Sequence, residues 1–263
     1  SATATLLGRP DTSQLTATEM ADYYARLCDS TDLPVFADAD TGYGNVTNTG
    51  RTVKAYERAG VAGLFIEDQV FPKRCGHMAG KDVVPLEEFL GKLKAALDAR
   101  TAPDLVIMAR TDALAVHGID EAIERAQAAR EAGADLLFVE APENQDQMRR
   151  ICAEIDGPCL ANNLDGGLSP VLKADLLQEI GYATVAFPTA ATYAVAHALG
   201  AVLGEIRKTS VATALYDRMY SFETFNELVG LGDLRRKEAG YQDSARDLLA
   251  RRKAAGGKDR AAE

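Results

Sequence analysis

Leu105-Val106-Ile107-Met108-Ala109-Arg110-Thr111-Asp112 is a run of five apolar residues that ends in a cation, a hydroxyl and an acid. So short and unalternating a run suits a strand covered on both faces, as in a parallel sheet. The pattern returns at Leu136-Leu137-Phe138-Val139-Glu140. Working outward, strands are predicted over 33–38, 63–68, 105–110, 135–140, 159–162 and 184–187. Helices rich in Ala, Leu, Glu, Lys and Arg fill the gaps at 47–59, 86–100, 119–132, 144–155, 169–180 and 189–208, and a further helix over 13–28 precedes the first strand. Ala59-Gly60 and Ala132-Gly133 supply the glycine that a left-handed helix end favours. Alternating β and α segments predict an α/β fold, either doubly wound or a (βα)8 barrel of the TIM type.

The loops favour the barrel. No Gly-x-Gly-x-x-Gly opens a helix; Thr41-Gly42-Tyr43-Gly44-Asn45 lacks the third glycine and follows two carboxylates where a pyrophosphate would sit. Strands recur regularly, and nearly every one ends in a polar residue. A barrel needs eight strands and six are visible, so the first two are expected upstream of Ser1. The repeat stops near 209, which sets a barrel over 1–210 and a helical tail over 211–263. Within the tail, 211–231 carries Tyr216, Tyr220, Phe222 and Phe225 and is expected to pack outside the barrel or on a neighbouring subunit; 251–263, charged and rich in Ala and Gly, is expected to fray.

The chain has 263 residues, a formal charge of −10 and 47% apolar residues. The acidic balance argues against an electrostatic grip on nucleic acid or anionic membranes. No run approaches a membrane span and the first residues do not resemble a signal peptide, so the expectation is a cytoplasmic protein. The four cysteines are scattered without a Cys-x-x-Cys pair, which indicates neither a disulfide framework nor structural zinc. Cys28, Cys152 and Cys159 lie in apolar contexts and read as packing residues.

In parallel α/β folds the ligand sits at the carboxyl ends of the strands. Those ends carry Asp38 and Asp40, Glu67 and Asp68, Arg110 and Asp112, Glu140, and Asn162 and Asn163. Carboxylates without imidazole or thiolate suit Mg²⁺, with Mn²⁺ as an alternative ion, completed by an anionic substrate. Arg110 offers a fork for a substrate carboxylate or phosphate, or else must pair with a neighbouring acid. The long segment 69–85 reads as a lid, in which Cys75 is flanked by Lys73, Arg74 and His77, neighbours that favour the thiolate.

Four motifs in order resemble the isocitrate lyase/phosphoenolpyruvate mutase superfamily: Asp38-Ala39-Asp40-Thr41-Gly42-Tyr43-Gly44, Ile66-Glu67-Asp68-Gln69, Pro72-Lys73-Arg74-Cys75-Gly76-His77 and Ala109-Arg110-Thr111-Asp112-Ala113. The resemblance implies a (βα)8 barrel with Mg²⁺ at its mouth, acting on 2-oxo or 2-hydroxy dicarboxylates. It implies that Asp40 binds the metal directly, that Asp38 and Glu67 hold its waters or the substrate, and that Asp11 lies behind them. It further implies that Arg110 grips a substrate carboxylate, that Glu140, Asn162 and Gly76 line the pocket, and that the chain assembles as a homotetramer. Lys-Arg-Cys-Gly-His is similar to the carbon–carbon lyases, whereas the phosphonate enzymes have Asn-Ser in place of Cys-Gly-His. Met78-Ala79-Gly80-Lys81 is similar to the dimethylmalate lyase and petal-death type.

The expected reaction is cleavage of a substituted malate or methylisocitrate-type substrate to a 2-oxo acid and a carboxylate, with Cys75 protonating the carbanion and His77 and Arg74 tuning the thiol. Hydrolysis or decarboxylation of oxaloacetate on the same site is the nearest alternative, followed by phosphonopyruvate chemistry or a non-catalytic barrel. The sequence identifies no base for the hydroxyl proton.

Overall fold

The computed structural model describes residues 2–259, with side chains through 254. These residues form two compact units, divided between Ala194 and Val195. The first unit opens with α1 (Ala2–Leu7) and α2 (Ala17–Asp29), followed by β1 (Phe36–Asp38), α3 (Val46–Ala59), β2 (Gly63–Glu67), α4 (Leu86–Ala99) and β3 (Val106–Thr111). Next come α5 (Leu114–His117), α6 (Ile119–Ala132), β4 (Leu136–Val139), α7 (Gln145–Glu154), β5 (Leu160–Asn162), α8 (Ala174–Ile180) and β6 (Thr184–Ala186). α9 (Ala190–Thr209) begins in this unit and ends in the second, where a 3-10 turn (Thr213–Arg218), α10 (Phe222–Leu228) and α11 (Leu231–Asp259) follow.

The six predicted strands are all present, and every pairing among them is parallel. Hydrogen bonds run β1-β2-β3-β4 and β5-β6, and a parallel bridge between Leu137 and Cys159 links the two sets. Several boundaries differ from expectation for local reasons. The first strand begins at Phe36 rather than near 33. α2 begins at Ala17 rather than 13, because Thr16 and Glu19 form a reciprocal capping box. α8 begins at Ala174 rather than 169; Asn163 instead binds the Leu172 carbonyl and amide with its side-chain amide, which holds the preceding segment irregular. α1 and the single turn α5 were not anticipated. α11 stays helical through the part of 251–263 that lies within the described residues.

Strand periodicity decides which side chains meet. Register pairs Phe65 with Met108 and Glu67 with Arg110, and Arg110 in turn with Phe138. These residues share one face, while Leu64, Ile66, Ile107, Ala109, Leu137 and Val139 lie on the other and join the main apolar cluster with Val53, Phe89, Leu93 and Ala126 of the helices. A one-residue slip would send Glu67 and Arg110 into that cluster, so apolar burial fixes the register of the polar face as well.

Candidate active site

β1 delivers its acids through a strained turn. Asp40 and Tyr43 have φ of 46° and 56°, and Gly42 and Gly44 have 87° and 142°. A Cβ on Gly42 would lie 2.3 Å from Thr49 Oγ1, so glycine is needed there for space as well as conformation. The Asp40 amide donates to Asp38 Oδ1 at 2.8 Å, and the Glu67 amide donates to the Asp40 carbonyl at 2.9 Å. Behind Asp38, the Tyr24 hydroxyl accepts the Asp38 N–H at 2.8 Å while the Tyr56 hydroxyl donates to the Asp38 carbonyl at 3.1 Å.

Two charge clusters follow. In the first, the buried Lys73 ammonium lies 2.9 Å from Asp40, 3.2 Å from Asp11 and 3.8 Å from Asp38. Burial alone would lower the Lys73 pKa, but the acids around it outweigh that and hold it well above the ordinary value. Burial first, and then Asp38, push the Asp40 carboxyl up to about 7 against the pull of Lys73. In the second cluster Arg110, stacked near the rings of Phe65 and Phe138, donates from Nε to Asp112 at 2.9 Å and lies 3.3 Å from Glu67 and 3.1 Å from Glu140. Burial pushes Asp112 and Glu140 up, but Arg110 and the groups beside it more than offset this and hold both below the usual carboxylate range. Glu67 differs: burial dominates and raises it well above its ordinary value, and among the described residues neither carboxylate oxygen receives a hydrogen bond.

The segment after β2 is closed at its base by an antiparallel bridge between Gln69 and Val83. The Gln69 amide brackets Arg74, donating to its carbonyl at 2.9 Å and accepting its N–H at 3.0 Å. His77 Nδ1 accepts the Leu168 N–H at 2.9 Å, so a neutral ring carries its proton on Nε2, which lies 3.0 Å from Glu140 Oε1. Asn162 donates to the same oxygen at 3.2 Å. Gly76 is pressed so close that a Cβ would lie 2.4 Å from both Arg110 Nη2 and Glu140 Cγ.

The structure thus brings together Asp11, Asp38, Asp40, Glu67, Gly76, His77, Arg110, Glu140 and Asn162. Asp68 stands apart, buried as acceptor for Thr111, the Asp112 amide and Arg125. Among the described residues, the three basic neighbours of Cys75 in sequence each have a polar partner other than the thiol. Lys73 is held by the acids, Arg74 donates to the Ala79 carbonyl and His77 faces Glu140, because each finds a buried or nearby acceptor that the thiol does not match. Arg110 has its acid partners, and Nη1 is its least committed donor. Sequence reasoning passed over Lys73 as the centre of the acidic cluster, and Lys81, whose buried ammonium lies 3.0 Å from Asp112. The signal was available, since a lysine among glycines beside four acidic strand ends is a ready partner for them. A cavity of about 1080 Å³ lies elsewhere, lined by residues such as Leu15, Tyr43, Asn48, Phe71 and Val84, and contains none of the converging carboxylates.

Among the described residues no three His, Cys, Asp or Glu side chains form a ready-made metal cage. The donor set nevertheless fits Mg²⁺, which keeps several waters and needs only one or two carboxylates. Glu67, with two buried oxygens lacking hydrogen-bond donors among the described residues, and Asp40, raised by burial and then by Asp38 beside it, mark a place with carboxylate capacity to spare for a hard cation. Asp40 also makes a prediction. A raised carboxyl adds stability that is complete below the unfolded value of 3.8 and is lost as pH rises through about 7. Asp40→Asn is therefore expected to raise the Tm of the EDTA-treated protein by several degrees at pH 8, with a gain that shrinks toward pH 5; a lower Tm at pH 8 would contradict it.

Residues 1–207 match the phosphoenolpyruvate phosphomutase family. The 2,3-dimethylmalate lyase of Eubacterium barkeri is 46% identical over 238 residues, covering 90% of this chain and 82% of the relative. The 2-methylisocitrate lyase of Escherichia coli K12 is 43% identical over 223 residues, covering 84% and 74%. Among solved structures, oxaloacetate acetylhydrolase in complex with 3,3-difluorooxalacetate superposes with a TM-score of 0.86 at 34% identity, covering 91% of this chain and 82% of the other. Phosphonopyruvate hydrolase in complex with oxalate and Mg²⁺ does so with a TM-score of 0.80 at 28% identity, covering 90% and 83%. The chain belongs to the phosphoenolpyruvate mutase/isocitrate lyase superfamily. Its architecture is of that superfamily's TIM-barrel type, with parallel strands and C-terminal helices.

Proposed function

We infer that the chain is a carbon–carbon lyase that cleaves a 2-hydroxy dicarboxylate of the alkylmalate or methylisocitrate type to a 2-oxo acid and a carboxylate. The observation that carries this reading is the Lys-Arg-Cys-Gly-His segment seated on Glu140 and Arg110 directly beside the Asp38, Asp40 and Glu67 carboxylates. Asp40 would hold Mg²⁺ directly, with Asp38 and Glu67 on its waters and Asp11 steadying Lys73 behind them. When bound, the ion supplies the Lewis acidity that draws charge from the 2-oxygen and its carboxylate. Arg110 keeps Glu67 and Glu140 in place and offers Nη1 to a substrate carboxylate, and Asn162, held to Glu140 through its amide nitrogen, has a buried Oδ1 with no hydrogen-bond partner among the described residues. As the C2–C3 bond breaks, the 2-hydroxyl gives its proton to water and its O–H pair closes the new C=O, the C2–C3 pair passes to C3, and the Cys75 Sγ–H protonates C3, leaving a thiolate that regains its proton from solvent. His77, whose Nδ1 accepts the Leu168 N–H and whose Nε2 lies 3.0 Å from Glu140, fixes the loop that carries the thiol, and Arg74 closes that loop on the Ala79 carbonyl.

Oxaloacetate hydrolysis is a second reading, favoured by the structural similarity to the acetylhydrolase. A panel of dimethylmalate, alkylmalates, methylisocitrate, oxaloacetate and phosphonopyruvate with Mg²⁺ separates the two. Pyruvate or another 2-oxo acid from a malate supports the lyase, and acetate plus oxalate supports the hydrolase. Cys75→Ser is expected to lower turnover by about a hundredfold or more while leaving Mg²⁺ affinity within about twofold; an active Cys75→Ser enzyme removes Cys75 from the mechanism. Exposed Val195, Leu199 and Leu203 on α9, and Tyr216, Phe222 and Phe225 beyond it, support assembly as a homotetramer. Four free cysteines fit a cytoplasmic setting, and among the described residues no helix is long and apolar enough to cross a membrane.

A further inference from the structure

Lys81 lies at the far end of the loop from Lys73 and Arg74, next to Gly80, whose φ is 77°. Its side chain is only 2% exposed, although nothing in the lyase chemistry requires a cation there. Two acceptors explain its burial. One is Asp112 Oδ1 at 3.0 Å, and Asp112 is also the carboxylate that Arg110 grips with Nε and Nη2. The other is the carbonyl of Gly76, the residue that follows Cys75. A second contact runs the opposite way across the same loop, from Arg74 Nη1 to the Ala79 carbonyl at 3.2 Å. Each cation therefore binds the carbonyl five residues away, and the two contacts close the loop on itself. They are not equivalent, because Arg74 is exposed and its side-chain hydrogen bond stays within the loop, whereas Lys81 ties the loop to the end of β3.

We propose that Lys81 is the positioning residue that latches the loop onto the barrel, holding the Cys75–Gly76 peptide against Arg110 and Glu140. An ammonium with three donors can bind a carboxylate and a carbonyl together, and its burial makes release costly unless both acceptors are replaced. Lysine also leaves the latch reversible, since each contact is a point charge rather than a two-pronged fork. The proposal rests on the lyase reading for its consequence, turnover, but not for its geometry.

The test uses the full chain with three variants. Lys81→Met removes both contacts, Lys81→Gln keeps one donor without the charge, and Lys81→Arg keeps the charge. Loop seating is read by the rate of Cys75 alkylation by iodoacetamide, resolved by peptide mass, and by tryptic cleavage after Arg74. Lys81→Met is expected to speed both at least about fivefold, Lys81→Gln by less, and Lys81→Arg to restore most of the protection. The kcat of Lys81→Met should fall about fiftyfold while the Mg²⁺ dissociation constant stays within twofold of wild type. Alkylation and cleavage rates within twofold of wild type in both Met and Gln variants would overturn the latch, as would a loss of Tm with no change in loop exposure. If wild type cleaves no substrate of the panel while the Met variant still exposes Cys75, the lyase reading fails and the latch stands.

Discussion

Arg110→Met is expected to destabilise the protein by about 3–5 kcal/mol, the cost of removing one partner from a buried ionic cluster. The guanidinium faces Asp112, Glu67 and Glu140, all nearly inaccessible to water. Methionine fills the space between Phe65 and Phe138 but leaves the three carboxylates without their arginine, with Lys81 beside Asp112 and with His77, Asn162 and the Ala141 amide beside Glu140 among the described residues. The effect should depend on pH with a definite sign. In wild type Asp112 and Glu140 titrate below their ordinary values, so they add stability that is present above the unfolded pKa and is lost as pH falls through the folded one. Without Arg110, burial is the leading influence on both, their values rise, and ionisation at neutral pH opposes folding. The gap in Tm between wild type and variant should therefore be widest near pH 8 and narrow toward pH 5. Equal loss at both values would show that the arginine acts through packing alone.

Gly76→Ala is expected to abolish most turnover while leaving the barrel folded. The added methyl would stand 2.4 Å from Arg110 Nη2 and Glu140 Cγ. Neither can yield, because Arg110 is fixed by three acids and Glu140 by Arg110, His77 and Asn162. The loop must lift instead, and a displacement on the order of 1 Å at a reacting group costs about a hundredfold in rate. Overpacking of this kind lowers stability by about 1–3 kcal/mol. The kcat should fall by about two orders of magnitude with Mg²⁺ affinity unchanged, and Cys75 should become more reactive to alkylating agents. Normal kcat in Gly76→Ala would mean that the seated loop is not the working conformation.

Gly76 also shows where reading the chain reaches its limit. Its place between Cys75 and His77 marks a motif, yet nothing local demands glycine; the demand comes from Arg110 and Glu140, which are distant in sequence. Cys75 and its basic neighbours make the same point. Adjacent residues at 73, 74 and 77 suggest a thiol ringed by charge, but the backbone sends those side chains to the Asp11 and Asp40 cluster, to Ala79 and to Glu140.

The sequence by itself determined the six parallel strands, the helices between them and the acids at their ends. Those features follow from periodicity and composition over a few residues: strands buried on both faces must be continuously apolar, and the polar residue that ends each run must lie at the rim. The same local logic separated Asp38 and Asp40 from ordinary turn residues. Only the tertiary structure decided how the charges are shared. That Lys73 serves three acids, that Arg110 binds Asp112 while touching Glu67 and Glu140, and that Lys81 reaches across to the end of β3 depend on strand register and loop path. Coulombic and desolvation energies depend on distance and burial in space, and neither is written in the order of residues along the chain.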